Sequence, residues 1–306
     1  MSERALIRWI RGRLGKRGGR ILVDSGDDAA VVRVDGDAAL LKTDAVIDGV
    51  HFLSGEAKPE EIGHKAIARS LSDIAAMGCV PTFAVVGMAV PRRATMPFLK
   101  RIFLGMNRTA RRFDTCIVGG DLSSYDGPLA ITVSLLGETR GLRPVTRAGA
   151  RVGDRVLVTG PLGGSIRGRH LTFTPRVREG LALNRHYDIH AMIDVSDGLV
   201  VDLGHVCEES GVAAVLYPDR VPRNRTLEEA LYDGEDYELL FTAAPEEADR
   251  VARANLGVII GEVRPGRGVF LNGRRLKPRG WEHRFGGKHV PPHQNLPVNF
   301  WCGPEA

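Results

Sequence analysis

Carboxylates recur in this sequence where apolar runs stop, each beside glycine or another small residue. Asp27 and Asp28 sit in "SGDDAAVV", Asp44 closes "LLKTD", Asp121 follows "IVGG", and Asp194 and Asp197 stand in "MIDVSDGL". Asp73 belongs to "EEIGHKAIARSLSDIAAMG", where Ile62, Ala66, Ser70, Asp73 and Met77 recur at spacings of three and four. That spacing sets the acid on or beside a helical face of small and apolar side chains. Singly, each has an ordinary reading: Asp27, Asp28 and Asp121 in turns, Asp197 as a helix N-cap. Together they repel one another unless cations neutralise them, and an unpaired carboxylate against apolar surface is costly. Oxygen donors without Cys or His companions suit a hard divalent ion, chiefly Mg²⁺, which often bridges to substrate phosphates.

The phosphate side of such chemistry is also visible. "VGGD" and "VSDGL" offer backbone N–H groups at a glycine turn and at a helix start, where anions bind. "TGPLGGS" is glycine-rich but matches neither GxxxxGK[ST] nor GxGxxG, and the kinase set of Gly-rich loop, HRD and DFG is absent. An ATP enzyme built from this chain therefore uses a less common nucleotide fold.

The elements that carry these residues alternate strand and helix. Residues 29–34 and 38–44 read as strands joined by the turn "VDGD", a hairpin signal. Residues 59–78 read as a helix, with Pro59 in its first turn and Gly78 closing it. "TFAVVGMAV" reads as a strand, 94–113 as a helix, and "TCIVGGD" and "LAITVSLLGET" as strands. A new start follows "RAGARVGD", which places a domain boundary near residue 148. The second half reads as strand 155–159, helices 175–185 and 197–210, strands 212–217 and 237–243, helix 245–255, and strands 257–262 and 268–271. The segment 286–306, Pro-rich and without periodicity, reads as a surface-ordered or disordered tail.

With 306 residues, 43% hydrophobic and 26% charged, the chain has the composition of a globular protein with room for two domains. No apolar run is long enough to span a bilayer, and "MSERALIRWIRGRLGK" lacks an apolar signal core, so neither membrane insertion nor export is expected. Four scattered cysteines form no CxxC pair, which suits a reducing, cytoplasmic setting. The net charge of +5 is concentrated in Arg8, Arg11, Arg13, Lys16, Arg17 and Arg20. These read as the solvated face of an amphipathic helix; no stacking platform accompanies them, so a nucleic-acid partner is not expected.

In their order, "GDDAAVV", "KTDAVIDGVHF", "HKAIARSLSDIAAMG", "VGGD", "TRAGARVGD", "VTGPLGGS", "MIDVSDGL" and "DGEDYELLF" resemble the thiamine-monophosphate kinase family, a branch of the aminoimidazole ribonucleotide synthetase and selenophosphate synthetase superfamily. The resemblance runs from about residue 24 to 285. It implies an α/β, two-domain chain: an N-terminal mixed sheet with helices (1–148) that pairs into a barrel across a homodimer, and a C-terminal α+β domain (149–285). It implies direct γ-phosphoryl transfer from ATP to thiamine monophosphate. Carried over by motif, Asp28, Thr43, Asp44, Asp73, Asp121, Asp194 and Asp197 hold Mg²⁺; Gly120, Asp121, Arg147 and Ser196 contact ATP; His51, Glu235 and Trp281 contact thiamine monophosphate. No residue is assigned a catalytic role beyond these metal and phosphate ligands. Without the resemblance, His51 reads as a loop histidine, Glu235 as a surface acid and Trp281 as a packing residue.

Two departures stand out. Lys42 replaces the family's small hydroxyl residue beside the expected metal ligands, which leaves the number of Mg²⁺ ions open, and the segment after Gly164 is shortened. A superfamily synthetase and a non-catalytic nucleotide-binding paralogue are the alternatives. The cysteine-free "RGRLGKRGGRILVDSGDD" speaks against selenophosphate chemistry, and the full set of motif aspartates speaks against loss of turnover.

Overall fold

The computed structural model describes residues 38–280, together with 9, 12, 13, 20–23 and 31–36. Asp27, Asp28 and Trp281, most of the basic N-terminal stretch and the Pro-rich tail lie outside the described residues.

Two short strands, β1 (Ile21–Val23) and β2 (Val31–Val32), pair antiparallel with each other. The next, β3 (Ala39–Ile47), alternates: Leu40 and Val46 are buried with Lys42 and Asp44 on their side, while Leu41, Thr43 and Ala45 are exposed on the other. "VDGD" therefore does not close a hairpin between β2 and β3. Over its whole length β3 pairs antiparallel with β6 (Ala130–Glu138), whose Ile131, Val133 and Leu135 are buried. A nine-residue ladder with a shared apolar face outweighs one local turn signal.

Between them lie α1 (Pro59–Ala76), β4 (Val80–Pro91), α2 (Met96–Arg112) and β5 (Cys116–Tyr125). The sheet order is β3-β6-β4-β5, with β4 and β5 parallel across the α2 crossover. Pro59 starts α1, and the Glu61 carboxylate accepts the Lys58 N–H at 3.2 Å. Its Ile62, Ile67, Leu71 and Ile74 are buried in the core that the helix shares with the sheet, each contributing about 1.5–3 kcal/mol. On another side α1 meets α2 backbone to backbone. A Cβ on Gly63 would lie 2.0 Å from Ile102 O, and one on Gly105 2.1 Å from Glu60 O.

The second half contributes β7 (Arg155–Val158), α3 (Val177–His186), β8 (Ile189–Asp194), α4 (Leu199–Ser210), β9 (Ala213–Leu216), α5 (Leu227–Tyr232), β10 (Leu239–Ala243), α6 (Pro245–Arg253), β11 (Val258–Arg264), β12 (Gly268–Leu271) and β13 (Arg274–Arg275). Its seven strands order as β13-β12-β9-β11-β7-β10-β8, antiparallel except for β9 with β12. Three of these elements, β8, α5 and the two-residue β13, are absent from the sequence expectations. One apolar cluster joins both halves: Leu71, Ile74 and Ile102 share it with Leu157, Val177, Met192 and Phe241. The result is a two-domain α/β chain of mixed sheets with helices. No closed barrel forms among the described residues of the single chain.

Candidate functional site

Three of the sequence-selected acids converge. Asp44 comes from β3, Asp73 from α1 and Asp194 from the end of β8. Lys42 Nζ lies 3.3 Å from Asp44 and 3.0 Å from Asp73. Ser70 donates to Asp44 at 3.1 Å and Ser72 to Asp194 at 2.6 Å. Burial, then the neighbouring Asp194 and Asp44, push the Asp73 carboxyl up to about 8 even with Lys42 beside it. Burial also raises Asp194, against the Ser72 hydroxyl and the charges of Lys42 and Arg147. One ammonium does not balance this crowd, and its donors are all oxygens, so it fits a hard cation. The described residues hold no group of three or more His, Cys, Asp or Glu close enough by themselves to hold a metal ion.

Thr43 and Asp121 lie elsewhere. Thr43 shares the outer face of the sheet with Ser134, hydroxyl to hydroxyl at 3.2 Å. Asp121 stands in a row with Gly87, Thr132 and Ala45 on that same outer face and accepts from Ser123 at 3.1 Å. Gly120 is one row away, level with Asp44, and a Cβ there would meet Val86 O at 2.0 Å, so packing against β4 alone requires glycine.

The loop between β8 and α4 holds Ser196 and Asp197. Asp202, a residue the sequence reading did not single out, accepts the N–H groups of Ser196, Asp197 and Gly198 at 3.0, 3.0 and 3.1 Å. Burial, with Asp194 and Asp197 nearby, lifts its carboxyl well above the usual range. Ser196 O accepts the Glu235 N–H at 2.7 Å, tying this loop to the "GEDYE" segment.

The acidic residues of that segment each fasten a different part of the chain. Glu235, with φ +62°, sends its carboxylate to Lys65 at 2.5 Å and to His170 at 2.8 Å. Burial opposes its charge, but Lys65 and His170 outweigh burial and hold it far below the usual carboxylate range. Asp236 accepts from Gly163 N at 2.7 Å, Ser165 Oγ at 2.5 Å and Arg169 at 2.8 Å, holding "TGPLGGS" in place. Glu238 takes both nitrogens of the Arg176 fork at 2.7 Å and the Thr159 hydroxyl at 2.7 Å. Tyr237 stacks on Phe173 with centroids 4.0 Å apart.

Lys65 is wholly buried and also donates to His51 O at 2.7 Å, so His51 and Glu235 meet through it. His51 Nδ1 accepts the Ile47 N–H at 3.1 Å. Asp48, three residues earlier, is a loop brace, accepting from Ser54 N at 2.9 Å and Ser54 Oγ at 2.6 Å.

Lys65, Arg69 and Asp73 recur every four residues and form one stripe along α1. Arg69 stands between the two clusters. Burial disfavours its charge, and Tyr237, Asp44, Glu235 and Asp73 more than restore it. Its Nη1 donates to Ala45 O at 3.1 Å, and its Nε–H is buried without a partner. The K-x₃-R-x₃-D spacing that sets this stripe is legible in the sequence. A cavity of about 460 Å³ lies apart from all of this, between the start of β4 and α3, and Arg20, Arg112, Arg140, Arg178 and Arg185 line it.

Residues 26–139 match the N-terminal domain of the AIR synthase related proteins, and residues 151–273 match the C-terminal domain. The chain is 40% identical over 281 residues to thiamine-monophosphate kinase of Rhodopirellula baltica, covering 85% of this chain and 88% of that protein. Among solved structures it is similar to thiamine-monophosphate kinase from Stenotrophomonas maltophilia K279a (TM-score 0.80, 32% identity, 90% of this chain and 98% of that one). It is also similar to AaThiL complexed with AMPPCP and TMP (TM-score 0.76, 33% identity, 92% and 97%).

Proposed function

The chain belongs to the AIR synthase related proteins and, within them, to the thiamine-monophosphate kinases, and from that premise we infer that it transfers the γ-phosphoryl group of ATP directly to thiamine monophosphate, forming thiamine diphosphate.

One observation carries the reading at the level of chemistry. The Arg69 guanidinium stands between the acid crowd and the clamped Glu235 carboxylate, its charge sustained by both, and such a fork suits a phosphate. An acceptor spanning Arg69 and Glu235 has its phosphate beside the acid crowd and its ring beside Glu235 and His51. The acceptor is itself an ionised phosphate, so its oxygen attacks the γ-phosphorus, ADP leaves, and no general base is required. That suits a site whose side chains position charge and move no proton.

Asp28, Thr43, Asp44, Asp73, Asp121, Asp194 and Asp197 are the proposed Mg²⁺ ligands; the cation supplies neutralisation of phosphate charge during transfer. Gly120, Asp121, Arg147 and Ser196 are proposed to hold ATP, with Asp202 keeping the Ser196 loop in shape. His51, Glu235 and Trp281 are proposed to hold the organic part of the acceptor. The working unit is a homodimer whose first sheets pair into a barrel. The chain divides at about residue 148, followed by a second domain to 285 and a tail. The buried free thiols of Cys79, Cys116 and Cys207 support a cytoplasmic setting.

Incubation of the purified chain with ATP, Mg²⁺ and thiamine monophosphate tests the reading. Thiamine diphosphate and ADP are expected in equal amounts. ADP without the diphosphate, or no turnover until a different acceptor is supplied, overturns it.

A further inference from the structure

Lys65 is the largest fully buried side chain in the described residues, and it is a cation. Its ammonium has three N–H bonds and three partners within 2.7 Å: His51 O, Glu235 Oε2 and His170 Nδ1. These come from three separate segments, the loop after β3, the loop before β10 and the short turn around Arg169–Leu171. His170 Nδ1 stands between the two charged groups, 2.6 Å from Lys65 Nζ and 2.8 Å from Glu235 Oε2. The consequence falls on Glu235. Its Oε2 is consumed by Lys65, with His170 Nδ1 2.8 Å away. Its Oε1 has one long contact, the Tyr237 hydroxyl at 3.4 Å. The backbone cannot relax this aim, because the Glu235 N–H is bonded to Ser196 O at 2.7 Å in a left-handed conformation.

We propose that Lys65 and His170 are positioning residues of the acceptor site: they lock Oε2 so that Oε1 alone faces the acceptor. The site thereby selects an acceptor whose ring presents an N–H donor, such as an exocyclic amine. This rests on the acceptor reading above and adds to it the residues that enforce selectivity. Neither Lys65 nor His170 touches ATP in this arrangement, so their effect is confined to the acceptor. Burial, outweighing Glu235, brings the Lys65 ammonium down to about 8, as expected for a lysine kept charged only by its partners.

A double-mutant cycle read in KM tests the proposal. Because Lys65→Met leaves Glu235 buried and uncompensated, it loses stability. The pair Lys65→Met/Glu235→Gln removes both charges and restores the fold, which melting confirms. His170→Ala and Glu235→Gln are made alongside. The KM for thiamine monophosphate is expected to rise about tenfold in His170→Ala, with the KM for ATP within twofold. The double variant is expected to be no worse than Glu235→Gln alone, since Lys65 acts through that carboxylate. Multiplying effects in the folded double variant, or equal weakening of both substrates, overturns the proposal while leaving the kinase reading intact. A wild-type chain that turns over ATP only with another acceptor overturns both.

Discussion

Asp73 shows what a single residue does here. It shares Lys42 with Asp44, and burial with Asp194 and Asp44 nearby raises its carboxyl, so Asp73→Asn removes a group whose ionisation the fold opposes. The metal-free protein is expected to melt at the same temperature or a few degrees higher, while turnover falls at least about a hundredfold. A drop in melting temperature with activity kept would make Asp73 a structural residue. Glu235 gives the opposite sign. Its folded value lies far below the ordinary 4.5, so its stabilisation is complete above about 4.5 and drains away as pH falls below it. Glu235→Gln also strands Lys65, at a cost of about 3–5 kcal/mol near neutrality. The gap in melting temperature between wild type and Glu235→Gln should therefore narrow from pH 5 to pH 3. A constant gap would detach Glu235 from Lys65. The acids at strand ends were legible because their residue type and their neighbours carry the signal. Lys65, His170 and Asp202 were not: Lys65 meets its partners 105 and 170 residues away, and no local pattern encodes such a meeting. Asp202 looks like any first-turn acid until its three N–H donors are seen.

At the scale of elements, α1 does the positioning. Lys65, Arg69 and Asp73 span eight residues, about 12 Å along the axis, so one rigid helix sets the separation of the acceptor and acid clusters. Its placement depends on Gly63 and Gly105, whose missing side chains let α1 and α2 touch through their backbones. Gly63→Ala should cost about 1–3 kcal/mol and raise the KM of both substrates, because a Cβ 2.0 Å from Ile102 O forces the helices apart. Gly204→Ala, in α4 with open space around the new methyl, is the control and should be neutral or slightly stabilising. Equal melting temperatures for the two variants would mean that the crossing tolerates a shift. Periodicity and stop signals made α1, α2 and β4 readable within a few residues. They failed at β8 and α5. "IHAMID" packs its last four residues on both faces and shows no alternation, and "LEEALY" is too short for a helical repeat to register. The "VDGD" hairpin failed for the reverse reason: a strong local turn was overruled by the non-local β3–β6 ladder.

At the scale of the whole molecule, the first sheet has one covered face and one bare one. Helices α1 and α2 cover the inner side, while Leu41 is 84% exposed and Val85 42% exposed on the outer side, beside Thr43, Ala45, Thr132 and Ser134. A bare apolar strand at a sheet edge is an association site unless something protects it, and β3 carries no bulge or proline. A second copy of the chain is the occupant that the barrel proposal requires, and it makes a quantitative prediction. In a two-fold interface each substitution acts twice, so losing the burial of Leu41 costs about 3–6 kcal/mol per dimer, a factor of roughly 10² to 10⁴ in dissociation constant. Wild type should sediment at micromolar concentration at twice the 33.2 kDa chain mass, and Leu41→Glu as the single chain. Leu41 already faces water within its own chain, so the variant should keep the wild-type far-ultraviolet circular dichroism. A wild type that sediments only at 33.2 kDa would refute the dimer, and a Leu41→Glu protein that stays dimeric would move its interface off this face.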